Sequence, residues 1–399
     1  MGPAGDKKDQ FTLPKMLKIK GYNTAVIGKW HLGFHWPWKE GEDGDGKVLP
    51  PNSISIATTE MFNWDQPISG GPWEAGFDYY FGDDVPNFPP FAYMEGTGNQ
   101  GFLQGDIVDI DREDMKSLGT RGMIHGGGPG DKGWQFEQVM PTIISRATKY
   151  IEDHSKGDKP YFLMFTTTSP HSPVVPTKEF QGRSDASHYG DYVIQTDDAI
   201  GQIIKALKQS GTFDDTLLIV TSDNGPAKLI RHLMQSYEHF SAGKLRGMKM
   251  DSWEGGHRIP FIASWPARDI QGGRKVDALI SLSDLFSTIA GVVGHKLPEN
   301  AAEDSVDIWD TLSEGKSIRD EMVYANWDGD LGLRKDHWVY LRNQGRVWYR
   351  EIFQIKPVNA PDQLYNLNDD PGQKINVYPE NDARVSEMEA RLQVLEKGE

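Results

Sequence analysis

Cysteine is absent from the 399-residue chain, which excludes disulfides, thiolate metal sites and a cysteine nucleophile within this sequence. Long apolar runs are missing as well. No window approaches the ~20 uninterrupted apolar residues that cross a bilayer, and the polar start MGPAGDKKDQ has no apolar stretch to read as a signal peptide. Positive charge is scarce: 42 Lys and Arg stand against 58 Asp and Glu, a formal net charge of −16. Such a surface repels nucleic acid and anionic membranes, so neither is an expected partner, and an anionic ligand needs a local basic pocket. No internal repeat of the solenoid kind is present. What is present, 37% hydrophobic and 11% aromatic residues, suffices for one large core and a smaller appended domain.

Residues 33 to about 133 gather many of the Trp, Pro and Gly residues, a composition suited to a loop-rich covering surface. Regular patterning follows. Residues 143–154 and 189–209 have the spacing of helices, and Gly211 stands where a C-cap belongs. Residues 161–166 and 216–221 are short apolar runs that predict buried strands. A strand at 259–263 and a helix at 283–293 continue the alternation. It predicts an α/β fold with a mostly parallel sheet sandwiched by helices. Beyond 297 the runs at 321–325 and 337–342 and a terminal helix at 383–395 predict a smaller α+β subdomain, dividing the chain into 1–296 and 297–399.

In open α/β sheets chemistry collects in the loops at the carboxyl ends of strands, and four such loops carry suitable residues. In GYNTAVIGKWHLG, Lys29 and His31 emerge as the apolar run at 25–27 ends, two positions apart and so on one side of an extended segment. In TSPHSP, two prolines stiffen the turn that carries His171. In TSDNG, Asp223 and Asn224 place two oxygen donors at a strand end, suited to a hard cation such as Ca²⁺ or Mg²⁺, or else form an Asx turn ending in glycine. The stretch KLRGMKMDSWEGGHRIP reverses the sign of the overall charge, and its Arg246, Lys249 and His257 suit an anionic group.

The ordered set GYNTAVIGKWHLG, PHSP, TSDNG and LRGMKMDSWEGGHRIPF resembles the sulfatase family of the alkaline-phosphatase-like superfamily, as does LYNLNDDPGQKINV near the end. The resemblance implies a sulfuric ester hydrolase of arylsulfatase type, acting on a sulfated small molecule or glycan. It implies that Lys29, His31, His171 and Lys249 grip the sulfate and move protons around the nucleophile, with His31 the candidate base. Asp223 and Asn224 then match two ligands of the metal, Ca²⁺ or Mg²⁺. The family's nucleophile is a formylglycine made in a Cys/Ser-x-Pro-x-Arg motif upstream of GKWHLG.

That motif and the paired aspartates before it are not found in the 27 residues preceding Gly28. An N-terminally incomplete, inactive or impaired product is therefore expected. Ser264-Trp265-Pro266-Ala267-Arg268 fits the bare pattern but lies after the fourth loop, and Asp83-Asp84, within GFDYYFGDDVPN, is not read as the metal's aspartate pair. The alternatives are a non-catalytic sulfated-glycan-binding protein and a phosphoesterase of the same superfamily. A periplasmic or secreted location is what the family implies; the sequence gives no oligomeric state.

Overall fold

In the computed structural model, which describes residues 10–40, 58–111, 126–227, 230–342 and 362–398, the apolar run at 25–27 lies fully buried in strand β1 (Asn23–Gly28). Helix α1 (Leu13–Ile19) leads into it, with the Thr12 hydroxyl accepting from the Lys15 N–H as an N-cap. Contacts divide the chain into two compact units, residues 1–214 with 289–303, and residues 215–288 with 304–399. Composition places a break at 296. By contact, residues 215–288 group instead with the C-terminal sheet.

In the first unit a six-stranded sheet runs β2 (Ile68–Ser69), β5 (Gln100–Leu103), β4 (Met94–Thr97), β3 (Tyr79–Gly82), β1 and β8 (Tyr161–Thr166) in spatial order. The centre is parallel: β1 pairs with β3 on one side and with β8 on the other. The β3–β4–β5–β2 flank is antiparallel. A separate hairpin pairs β6 (Ile107–Ile110) with β7 (Gly128–Asp131). Helix α2 (Gly71–Glu74) and the longer α3 (Val139–His154) and α4 (Ser187–Gln209) complete the unit. The stretch read from sequence as loops thus holds several strands. At two to four residues each, they are too short to display a period of two.

Strand β8 falls where the sequence places it, yet its residues are half-exposed rather than buried, with Met164 44% exposed. Among the described residues it is paired along one edge only. An apolar run sets the tendency to bury, but the neighbours of the strand decide how much is covered.

In the second unit β9 (Leu218–Thr221) pairs with β10 (Phe261–Ser264) antiparallel, not as a further parallel strand. The short helices α5 (Ile230–Tyr237), α6 (Glu254–His257) and α8 (Trp309–Glu314) belong here, and α7 (Asp284–Val292) runs across the boundary between the units. Strands β11 (Glu321–Ala325), β12 (Leu331–Lys335), β13 (Trp338–Leu341) and β14 (Gln363–Asn366) form an antiparallel sheet in sequence order. Helix α9 (Asp382–Glu396) buries Val385, Met388 and Leu392 against Leu333, Tyr340 and Leu364. No described helix is long and apolar enough to cross a membrane.

Candidate functional site

The carboxyl ends of β1, β8 and β3 meet through backbone contacts that only glycine permits. Gly28 has φ +114°, and a Cβ there would lie 1.9 Å from the Thr166 carbonyl oxygen. Beyond it the Lys29 N–H donates to that carbonyl (2.9 Å), and the Thr166 hydroxyl donates to the Lys29 carbonyl (2.7 Å). The GKWHLG loop is therefore tied to the strand that leads into TSPHSP, about 140 residues away, counting from 28 to 166. His31 sits at φ 56°, and its N–H reaches both the Asp84 carbonyl (3.0 Å) and Asp84 Oδ1 (3.1 Å). Lys29, His31 and His171 are all half-buried.

His171 follows the cis Ser169–Pro170 bond and precedes the cis Ser172–Pro173 bond. Its Nδ1 lies 2.7 Å from the Ser172 carbonyl oxygen. A carbonyl can only accept, so Nδ1 carries the proton and Nε2 is the basic nitrogen of the neutral ring. The loop is held against α4 by the Thr196 hydroxyl, which donates to Ser169 Oγ at 2.7 Å.

Beside Lys29 stands a group that the sequence reading set aside. Asp83 is 2% exposed, and among the described residues no other residue donates a hydrogen bond to its carboxylate, although its own backbone N–H favours the charged form. Burial pushes its carboxyl up to about 6, opposed by the Lys29 charge. The only sequence signal was its place directly after an aromatic strand; its loss of solvent depends on packing, which no local pattern reveals.

The second unit joins the other two motifs. The Gly225 N–H donates to the Gly256 carbonyl (2.8 Å), a Cβ on Gly225 would lie 1.9 Å from the Gly255 oxygen, and the Lys249 N–H donates to the Pro226 carbonyl (2.8 Å). TSDNG and RGMKMDSWEGGH thus share one backbone framework. Arg246 is drawn inward: its guanidinium lies 4.0 Å over the Trp253 ring and donates to Tyr365 Oη (3.2 Å) and the Gln373 carbonyl (3.0 Å). His257 packs on Tyr324 with ring centroids 4.1 Å apart. Burial holds its pKa below the usual imidazole value, against the pull of the Glu254 carboxylate. Glu254, 1% exposed, also accepts from Arg258 and Arg334 at 3.3 Å each. Lys249 itself is half-buried.

Asp223 is exposed just past the end of β9, and Asn224 Nδ2 donates to the Gly225 carbonyl at 2.9 Å, a contact unlike an Asx turn, in which the side-chain oxygen accepts from a backbone N–H. With its nitrogen so engaged, Asn224 keeps Oδ1 as an acceptor beside the Asp223 carboxylate. The pair fits a hard dication in kind but supplies at most about three oxygens of the ~6–8 that Ca²⁺ takes. Among the described residues no group of three His, Cys, Asp or Glu could hold a metal. Ser264 of the bare Ser-x-Pro-x-Arg match pairs with Leu218, at the opposite end of β9 from Asp223. The intervening strand puts them roughly 15 Å apart at ~3.3 Å per residue.

The family model described as Sulfatase matches residues 2–295. The chain belongs to the sulfatase family. It is 32% identical to an N-acetylgalactosamine-6-O-sulfatase of Bacteroides thetaiotaomicron, over 96% of this chain and 76% of that protein. It is 25% identical to human steryl-sulfatase, over 95% of this chain and 71% of that protein. A solved structure described under the metabolism of multiple glycosaminoglycans by Bacteroides thetaiotaomicron superposes with a TM-score of 0.78, at 27% identity, over 98% of this chain and 82% of that one. As a sulfatase, this chain is a hydrolase of the sulfuric ester class, built on the α/β sheet anticipated from its sequence.

Proposed function

We propose that this sulfatase acts on sulfate esters of carbohydrates, with Lys29, His171 and Lys249 binding the sulfate and His31 serving as the base. The observation that carries the reading is the tie between β1 and β8, which brings the Lys29–His31 loop and the His171 loop together at one sheet edge. Lysine ammonium groups are suited to hold a tetrahedral anion, and the two imidazoles to move protons around it, donating one to the departing alcohol oxygen and, for His31 as the base, taking one up when sulfate is released. Asp223 and Asn224 would hold part of the shell of a divalent cation, Ca²⁺ or Mg²⁺, which when bound supplies a Lewis acid for the sulfate oxygens. Arg246 and His257, engaged within the second unit, act by supporting the framework that carries Lys249. The name of the relative from Bacteroides thetaiotaomicron, an N-acetylgalactosamine-6-O-sulfatase, supports a sugar substrate.

A second reading, binding of sulfated glycans without turnover, is favoured by one observation. The Ser-x-Pro-x-Arg match at Ser264 lies at the opposite end of β9 from Asp223. Calorimetry with galactose 6-sulfate and release of inorganic sulfate separate the two readings. Lys29→Ala and Lys249→Ala are each expected to weaken binding about tenfold or more, the loss of one charge-assisted contact. Unchanged affinity in both variants would refute the assignment, and faster cleavage of the matching phosphate ester would favour a phosphoesterase.

A further inference from the structure

Resting on that reading, we propose that Asp83 and Asn87 form the subsite that recognises hydroxyl groups of the sugar carrying the sulfate. Both side chains are buried, 2% and 4% exposed, yet among the described residues no other residue donates a hydrogen bond to either oxygen of Asp83 or to Oδ1 of Asn87. Buried polar atoms are almost always paired, and an isolated buried carboxylate is among the costliest groups a fold can keep. Three such acceptors within five residues of chain suit hydrogen-bond donors brought by a ligand.

Position says what the donors belong to. The register of β1 with β3 sets Ile27 beside Phe81, the Trp30 N–H donates to the Asp83 carbonyl at 3.3 Å, and the Lys29 charge acts on the Asp83 carboxyl. The loop backbone is fixed by the Tyr80 hydroxyl, which donates to the carbonyls of Gly28 (3.2 Å) and Asp83 (3.0 Å). A cationic side chain thus adjoins acceptor-only oxygens. A ligand that satisfies both carries an anion and several O–H donors on neighbouring atoms, which describes a sulfated pyranose and not an aryl sulfate. A carboxylate takes two vicinal hydroxyls through its two oxygens, and Asn87 Oδ1 takes a third.

Calorimetry on the full chain at neutral pH tests the subsite with three probes: galactose 6-sulfate, 4-nitrophenyl sulfate and inorganic sulfate. The wild-type chain should bind the sugar sulfate more tightly than the aryl sulfate. Asp83→Asn alters the charge beside Lys29 for all three probes alike, so the reading is the ratio: the sugar sulfate should weaken about tenfold relative to the other two, in keeping with a lost bond to a charged acceptor. Asn87→Ala should act in the same direction more weakly. An equal change for all three probes would make Asp83 a merely structural residue and overturn the proposal, as would a sugar sulfate affinity unchanged relative to the other two. Sulfate bound without preference for sugar over aryl ester overturns the subsite alone. No sulfate bound at all overturns the underlying reading with it.

Discussion

Asp83 shows how a single residue can hold a stability cost that a fold retains. Its carboxyl ionises near 3.8 when the chain is unfolded and at about 6 when it is folded, because burial penalises the charged form. Between those values the native state binds more protons than the unfolded one, so stability is lost as pH rises through the window and stays lost above it. The difference between those two values corresponds to about 3 kcal/mol. Asp83→Asn is therefore expected to raise the urea midpoint at pH 7 to 8, with the gain shrinking below pH 6 and gone near pH 3. A variant less stable than wild type at pH 7 would show that the carboxylate is paired in solution. Residues of this kind are hard to read from sequence: Lys29, His31 and His171 announce themselves by motif, whereas the importance of Asp83 lies in being dry, a property of its neighbours.

At the scale of elements, the turn out of β1 depends on Gly28 for two reasons, a positive φ and a carbonyl 1.9 Å from where a Cβ would stand. Gly225 has the second reason only, against the Gly255 carbonyl. Neither obstacle is a flexible side chain that could swing aside. Gly28→Ala should cost about 2–5 kcal/mol, strain and overpacking together, and Gly225→Ala about 1–3 kcal/mol, overpacking alone. Thermal unfolding of the two variants checks the order, and equal losses would remove the role given to φ at Gly28. Long elements were legible because their periods had room to repeat: α4 begins two residues before the helix read from sequence and ends with it, and β8 and β11 match the predicted runs. The strands between 68 and 110 were not legible, since a run of two to four residues displays no period. The antiparallel pairing of β9 with β10 was not legible either, because direction is set by the path between strands and leaves no mark on their composition.

For the whole molecule the decisive quantity is charge. With a formal net charge of −16, the long-range field repels a sulfated ligand, while the Lys29 and Lys249 loops attract it only at short range. Salt treats the two ranges differently. The screening length falls from roughly 30 Å at about 0.01 M to roughly 8 Å at about 0.15 M, so added salt first removes the distant repulsion and spares contacts within a few ångströms. The association rate for a small sulfated sugar is therefore expected to rise over that interval, opposite to the usual behaviour of a basic protein binding an anion. Stopped-flow measurement of the rate against ionic strength decides the matter. A rate that falls from the lowest salt onward would mean that the basic loops, and not the acidic remainder, govern the field along the ligand's approach.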